Sequence, residues 1–193
     1  RGYAINSVGI AYGNEINFTT LGTRPSISTT YASNITGNSA IIGGNISSIN
    51  GSSVTDRGIY LSMNNADPYN YGSKISIGTG EGLFSKEVSN LNPNSKYYFV
   101  AYATNSYGTN LGSTLSFTTT SITATLTTGT PSSITSSGAS ISVNITSTGG
   151  EAILEKGIVY GKTSSPTLSD SIVQSSSSSN SYSLNLSGLY FAT

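Results

Sequence analysis

From residue 139 to 146 apolar and polar side chains alternate one for one. Ala139, Ile141, Val143 and Ile145 interleave with Ser140, Ser142, Asn144 and Thr146. A period of two places one row in a core and the other in water, as in a half-buried β-strand. Ala40, Ile42, Gly44 and Ile46 hold the same inward row earlier in the chain. Further strands are expected over 25–31, 56–62, 73–77, 83–88, 96–105 and 113–119, separated by turn-forming runs such as Asn38-Ser39, Asn50-Gly51 and Asn92-Pro93-Asn94. No segment carries a helical period, so the chain reads as all-β.

The same pattern returns at a constant spacing. Shifted by 99 positions, residues 25–62 fall on 124–161 without a gap: Ile35 on Ile134, Ala40 on Ala139, Asn45-Ile46 on Asn144-Ile145, Gly58-Ile59 on Gly157-Ile158. The same shift lays Tyr3-Ala4 on Tyr102-Ala103, Asn6-Ser7 on Asn105-Ser106, Gly9 on Gly108 and Phe18-Thr19-Thr20 on Phe117-Thr118-Thr119. Short-repeat solenoids have units of about 20–50 residues and do not fit; a seven-stranded immunoglobulin-like sandwich of about 100 residues does. Three segments follow: 1–20 as the C-terminal strands of one repeat, 21–120 as a complete domain, and 121–193 as a domain lacking its last two strands.

Composition limits the chemistry open to such a chain. The 193 residues include no Cys and no His, with 8 Lys+Arg balanced by 8 Asp+Glu. Without those side chains there is no Ser-His-Asp or Cys-His nucleophile, no N/S zinc site, no iron–sulfur cluster and no disulfide. So few cations leave no electrostatic footprint for nucleic acid or for an anionic membrane surface. No run of 18 apolar residues suggests membrane insertion. The 13 Tyr and 5 Phe, spread through alternating runs, still supply a core, so the chain folds.

Leu91-Asn92-Pro93-Asn94-Ser95-Lys96-Tyr97, continuing through Ala103-Thr104-Asn105-Ser106-Tyr107-Gly108, resembles the fibronectin type III pattern L-x-P-x-[T/S]-x-Y followed by A-x-N-x-x-G. The resemblance implies tandem β-sandwiches and a tyrosine corner, with Leu91 plugging the sandwich end and the Tyr97 hydroxyl returning to the backbone of the preceding loop. The family's Trp on the second strand is replaced by aliphatics such as Ile42 and Ile141. Arg57-Gly58-Ile59-Tyr60, Gly78-Thr79-Gly80-Glu81-Gly82 and the run 97–110 are similar to modules of large exported surface proteins of Bacteroidetes-type bacteria. That similarity implies a secreted or cell-surface, extracellular setting.

Leu189 to Thr193 align with Leu91 to Ser95, two residues before the corner tyrosine, and Arg1 aligns with Val100. The two incomplete segments are therefore complementary. Residues 1–20 of one copy are expected to complete the sandwich of 121–193 in a neighbour, with Tyr3, Ala4, Ile16, Phe18 and Leu189 at the junction. Such a contact is head-to-tail and does not close on itself, so the partner is the protein itself, as a homopolymer or as a continuous array.

The acids show no calcium loop and no framed carboxylate pair, and Gly78–Gly82 precedes a strand rather than a helix, so no metal, cofactor or catalytic residue is assigned. Tyr69 and Tyr71 lie in a polar loop, and Tyr98, Tyr102 and Tyr3 fall on the outward phase of the sixth strand. Such aromatics stack on surface glycans or pack across strands, and both readings stay open. Asp170-Ser171-Ile172 resembles an Asp-Ser/Thr-aliphatic O-glycosylation sequon, which makes Ser171 a candidate acceptor. Six Asn-x-Ser/Thr triplets, at Asn17, Asn34, Asn45, Asn50, Asn144 and Asn185, arise from composition alone. The expected role is non-catalytic: a structural repeat unit of an extracellular filament or giant adhesin. The alternatives are a glycan- or protein-binding adhesion module and spacer domains of a secreted polysaccharide-degrading enzyme.

Overall fold

A computed structural model describes residues 1–189, so the expected correspondence of 190–193 with the loop before the corner tyrosine lies outside the described residues. The chain opens with a hairpin, β1 (Tyr3–Ile5) paired antiparallel with β2 (Ile10–Tyr12). β3 (Ser26–Ser33), β4 (Ala40–Ser48) and β5 (Asp56–Met63) follow, then a single helical turn α1 (Pro68–Tyr71). Next come β6 (Ser73–Gly78), β7 (Gly82–Val88), β8 (Lys96–Asn105), β9 (Gly108–Leu111) and β10 (Leu115–Thr118). These make two antiparallel sheets, one in the order β3-β4-β7 and one in the order β10-β8-β5-β6 with β9 also on β8.

The fold is a β-sandwich, and the alternation seen in the sequence builds its core. On β8 the side chains of Tyr97, Phe99, Ala101 and Ala103 point inward to meet Ala40, Ile42 and Ile46 of β4 and Ile59 of β5. Phe117 closes one end, its ring 5.6 Å from Tyr97 and 5.9 Å from Phe99.

Two local expectations change. β10 falls within the span expected for the seventh strand, 113–119, but a further strand that the alternation does not place, β9, precedes it; β9 pairs with the second half of β8 and β10 with the first half, both on the same edge. Gly112 sits at the break, pressed against the backbone of Thr29 in the opposite sheet, while its N–H donates to Ala101 O at 2.9 Å. The loop around Tyr69 contains α1, started by Pro68 and by an Asp67 carboxylate that accepts from Asn70 N–H at 3.3 Å.

A second set of strands follows: β11 (Thr125–Thr128), β12 (Gly138–Ser147), β13 (Gly157–Tyr160), β14 (Ser171–Gln174) and β15 (Ser181–Ser187). They form a three-stranded sheet β11-β12-β15 and a two-stranded sheet β13-β14. Each has its equivalent in the first sandwich, β11-β12-β15 matching β3-β4-β7 and β13-β14 matching β5-β6. Leu189 N–H donates to Ser137 O at 2.9 Å just as Leu91 N–H donates to Asn38 O at 3.0 Å. Among the described residues this second set contains no equivalent of β8, β9 or β10.

The two sets meet at a short joint. Asn94 donates from Nδ2 to Gly150 O at 2.9 Å, Ser121 Oγ donates to the Glu151 carboxylate, and Ile122 N–H donates to Gly149 O at 2.9 Å. Gly150 has a φ of +89°, and a Cβ there would collide with Pro93 and Asn94. Among the described residues no helix is long and apolar enough to cross a membrane.

Candidate functional site: an open groove and a free hairpin

The complete sandwich shows how its ends and outer face are sealed. Leu91 is buried, and the Tyr97 hydroxyl accepts a hydrogen bond from Asn92 N–H at 2.9 Å, five residues back. At the opposite end Asn105 is buried; its Nδ2 donates to Thr23 O at 2.8 Å and Ile49 O at 3.0 Å, while Oδ1 accepts from Tyr107 N–H at 2.9 Å. One side chain thus ties β8 to the linker before β3 and to the turn after β4. Its importance is not evident from its residue type, although its recurrence as Asn6 in the repeat was a usable signal.

On the outer face, Tyr102 donates its hydroxyl to both Asp56 carboxylate oxygens at 3.1 Å. Ser76 Oγ reaches Oδ1 at 2.6 Å and Lys74 Nζ reaches Oδ2 at 2.8 Å. Burial pushes the Asp56 carboxyl upward, but hydrogen bonds from Lys74, Ser76 and Tyr102 outweigh it and hold the group below its ordinary value. Burial raises the Tyr102 phenol, and the hydrogen bond to Asp56 raises the Lys74 ammonium. Tyr102 is on the outward phase expected of it, yet its exposure is 0%. Tyr60, 5.0 Å away ring to ring, covers it together with Lys74, 4.8 Å above the ring. Tyr102 is therefore not free to stack on a sugar. The ring of Tyr69 meets Tyr60 edge-on at 5.0 Å but stays exposed, as Tyr71 does.

Among the described residues the second set of strands has no such seal. Between its two sheets lies an open cavity of about 480 Å³, lined by Leu126, Val143, Ile145, Ile153, Ile158 and Tyr182. Ile158 is only half-buried, while its equivalent Ile59 is fully buried under β8 in the complete sandwich. Leu126, Leu168 and Ile172 are exposed at the rim. The vacant edge of β13 is the one to which β5 binds β8.

The N-terminal hairpin is the reverse case. Its register, Tyr3 opposite Tyr12, Ala4 opposite Ala11 and Ile5 opposite Ile10, repeats that of Tyr102 with Leu111, Ala103 with Asn110 and Thr104 with Thr109. Gly13 N–H donates to Gly2 O at 3.0 Å as Gly112 N–H does to Ala101 O, and Asn6 Oδ1 accepts from Val8 N–H at 2.9 Å as Asn105 Oδ1 does from Tyr107. The hairpin thus has the shape of β8-β9 with no sandwich beneath it. Tyr3 is 71% exposed and Phe18 88%, against 6% for Phe117; Ala4 and Ile16 are exposed too. Residues 13–20 carry no strand pairing, although their equivalents include β10.

Leu189 is half-buried and shares a separate open concavity with Tyr160, Asp170 and Ser171, and Ser171 is exposed at the first position of β14, opposite Tyr160. Among the described residues no three acidic side chains converge as metal ligands would.

No protein-family model matches the chain, and no curated protein sequence matches it. Among solved structures it is similar to the sensor domain of the anti-sigma factor RsgI4 of Pseudobacteroides cellulosolvens, in a short form. That match has 24% identity and a TM-score of 0.41, covering 52% of this chain and 98% of that one. A solution structure of the same sensor domain matches at 24% identity and a TM-score of 0.39, covering 50% of this chain and 75% of that one. A run of titin domains matches at 15% identity and a TM-score of 0.35, covering 52% of this chain and 32% of that one.

Proposed function

We propose that the protein is a non-catalytic structural unit that joins head-to-tail, the hairpin and following segment (1–20) of one copy completing the open sandwich (121–189) of the next. The observation that carries this reading is the match between a preformed, exposed hairpin with the register of β8-β9 and an apolar groove bordered by β13, the equivalent of the β5 strand on which β8 pairs. In the complete sandwich Arg57 lies opposite Ala103 and Gly58 opposite Tyr102. The equivalent junction sets Lys156 opposite Ala4 and Gly157 opposite Tyr3, with Ile16 and Phe18 continuing toward Leu189. Main-chain hydrogen bonds supply affinity, and the inward row fixes register. Because donor and acceptor are different surfaces, the contact propagates into a filament or linear array.

An extracellular fibre or surface adhesin of the Bacteroidetes type is the setting that the motifs favour. A face rich in hydroxyls and poor in charge suits it, since identical modules then approach without mutual repulsion. The experiment is a cross-link. Because the chain has no cysteine, Ala4→Cys with Lys156→Cys introduces the only thiols. Oxidation of the native assembly gives a ladder of covalent multimers on reducing-agent-free gels if the reading holds, and only monomer with free thiols if it does not. Phe18→Ala removes a large anchor that the junction would bury, a loss of about 3 kcal/mol, and shortens the ladder.

A further inference from the structure

The junction contains more than apolar complementarity, because the polar constellations that seal the complete sandwich are half-assembled in the open one. Asp56 accepts from Ser76, its neighbour on β6, and from Tyr102 on β8. In the open sandwich Glu155 holds the place of Asp56 and accepts from Gln174 Nε2 at 2.9 Å; Gln174 pairs with Gly157 as Ser76 pairs with Gly58. Lys156 repeats Arg57, its Nζ donating to Ser179 O as Arg57 donates to Glu81 O. The place of Lys74 is taken by Ile172, opposite Val159. A hydroxyl at the Tyr102 position completes the set, and the residue that repeats Tyr102 is Tyr3, now exposed.

The other end of the groove shows the same half-assembly. In the complete sandwich Asn105 spans Thr23 O and Ile49 O, next to a hydrogen bond from Thr23 N–H to Asn50 O at 2.9 Å. The open sandwich repeats that bond, from Ile122 N–H to Gly149 O at 2.9 Å, so the carbonyls of Ile122 and Thr148 flank it as those of Thr23 and Ile49 do. Asn6 repeats Asn105. Its Oδ1 is already engaged within the hairpin, which orients the amide and leaves Nδ2 pointing away from that turn as a donor.

We propose that Tyr3 and Asn6 are the two polar anchors that set the register between copies. Tyr3 donates its hydroxyl to Glu155 of the neighbouring copy, and Asn6 donates its amide to the carbonyls of Ile122 and Thr148 there. This rests on the head-to-tail reading and adds its specificity to it. A strand docked one residue out of register places Tyr3 on the inner face and strands both anchors, so wrong registers leave a carboxylate and an amide without partners.

The test uses the full chain and reads association by sedimentation velocity over a range of concentrations. Tyr3→Phe and Glu155→Ala are each expected to weaken association about tenfold, as loss of a hydrogen bond to a charged group does, and the double variant is no weaker than the poorer single. Asn6→Ala weakens it at least about tenfold. The variants sit at exposed positions, so the unfolding midpoint of the complete sandwich stays in place and serves as the folding control. If Tyr3→Phe and Glu155→Ala multiply their effects, or either leaves association unchanged, the anchor pair is wrong. If Asn6→Ala associates like the parent, its anchor is wrong. In either case a cross-linked ladder that Phe18→Ala still shortens shows that the head-to-tail reading survives. Loss of the ladder in the cysteine pair, with Phe18→Ala inert, overturns that reading itself.

Discussion

Single side chains decide how the sandwich closes, and their effects are separable. The carboxyl of Asp56 ionises more readily in the folded protein than its ordinary value of 3.8, through its hydrogen bonds to Lys74, Ser76 and Tyr102. Its stabilising contribution is complete above that ordinary value and disappears as pH falls through the lower folded value. Asp56→Asn should therefore flatten the acid limb of the stability curve below about pH 4, measured by urea denaturation at stepped pH. Tyr97→Phe removes the acceptor for Asn92 N–H and should cost about 1 kcal/mol in the same assay without altering the stacking on Phe117. The corner was legible only through the family pattern that Leu91, Pro93 and Tyr97 resemble; its hydrogen bond is local, between Asn92 and Tyr97 five residues apart. The cover on Tyr102 was not legible, because Tyr60 and Lys74 come from other strands and alternation gives a side chain's direction, not what lies above it.

Strands were predicted best where one face is apolar and the other polar. β4, β5, β7 and β8 fall within two residues of the expected spans, because register errors there would turn the whole inward row to water. The extra strand β9 and its break from β10 were not legible for a non-local reason: Gly112 yields to Thr29 in the other sheet, and Thr29 Oγ1 accepts from Ala101 N–H at 3.0 Å from far earlier in the chain. The one helical turn in the Asn64–Tyr71 loop was written in Asp67-Pro68 but is too short to leave a period. Pairing also explains a glycine that the sequence merely repeats. Gly58 lies opposite Tyr102, and a Cβ there would press on Ile75 O and on the tyrosine ring. Gly58→Val should thus destabilise the complete sandwich by more than about 2 kcal/mol, with the chemical-denaturation midpoint as the measurement. Gly157 repeats it, and a Cβ there would press on Val173 O of β14; the same substitution should loosen the β13–β14 pair, and with it any head-to-tail association, while leaving the complete sandwich's own midpoint unmoved.

For the molecule as a whole, the joint between sandwiches is specified as closely as the sandwiches are. Gly150→Val introduces a Cβ into Pro93 and Asn94, and its φ of +89° is one that valine resists. Each sandwich should keep its midpoint, but the two should tumble more independently, visible as a fall in the rotational correlation times from NMR relaxation. The 99-residue self-similarity is legible in the Tyr, Gly and Asn positions. The angle and stiffness between modules could not be read from it, since they depend on hydrogen bonds from Asn94 and Ser121 to a turn in the next repeat.

The ladders that hold the two end strands, β3 on β4 and β10 on β8, have a mechanical meaning. The linker enters the complete sandwich beside Asn105 at one end and leaves beside Asn92 at the other, so a pull on the chain is directed along its strands. Antiparallel hydrogen bonds lie across that direction. Tension therefore loads the rungs together in shear instead of peeling them one by one, and a junction between copies built on the β13 edge would carry force in the same way: it would yield abruptly at high load and be reversible when slack.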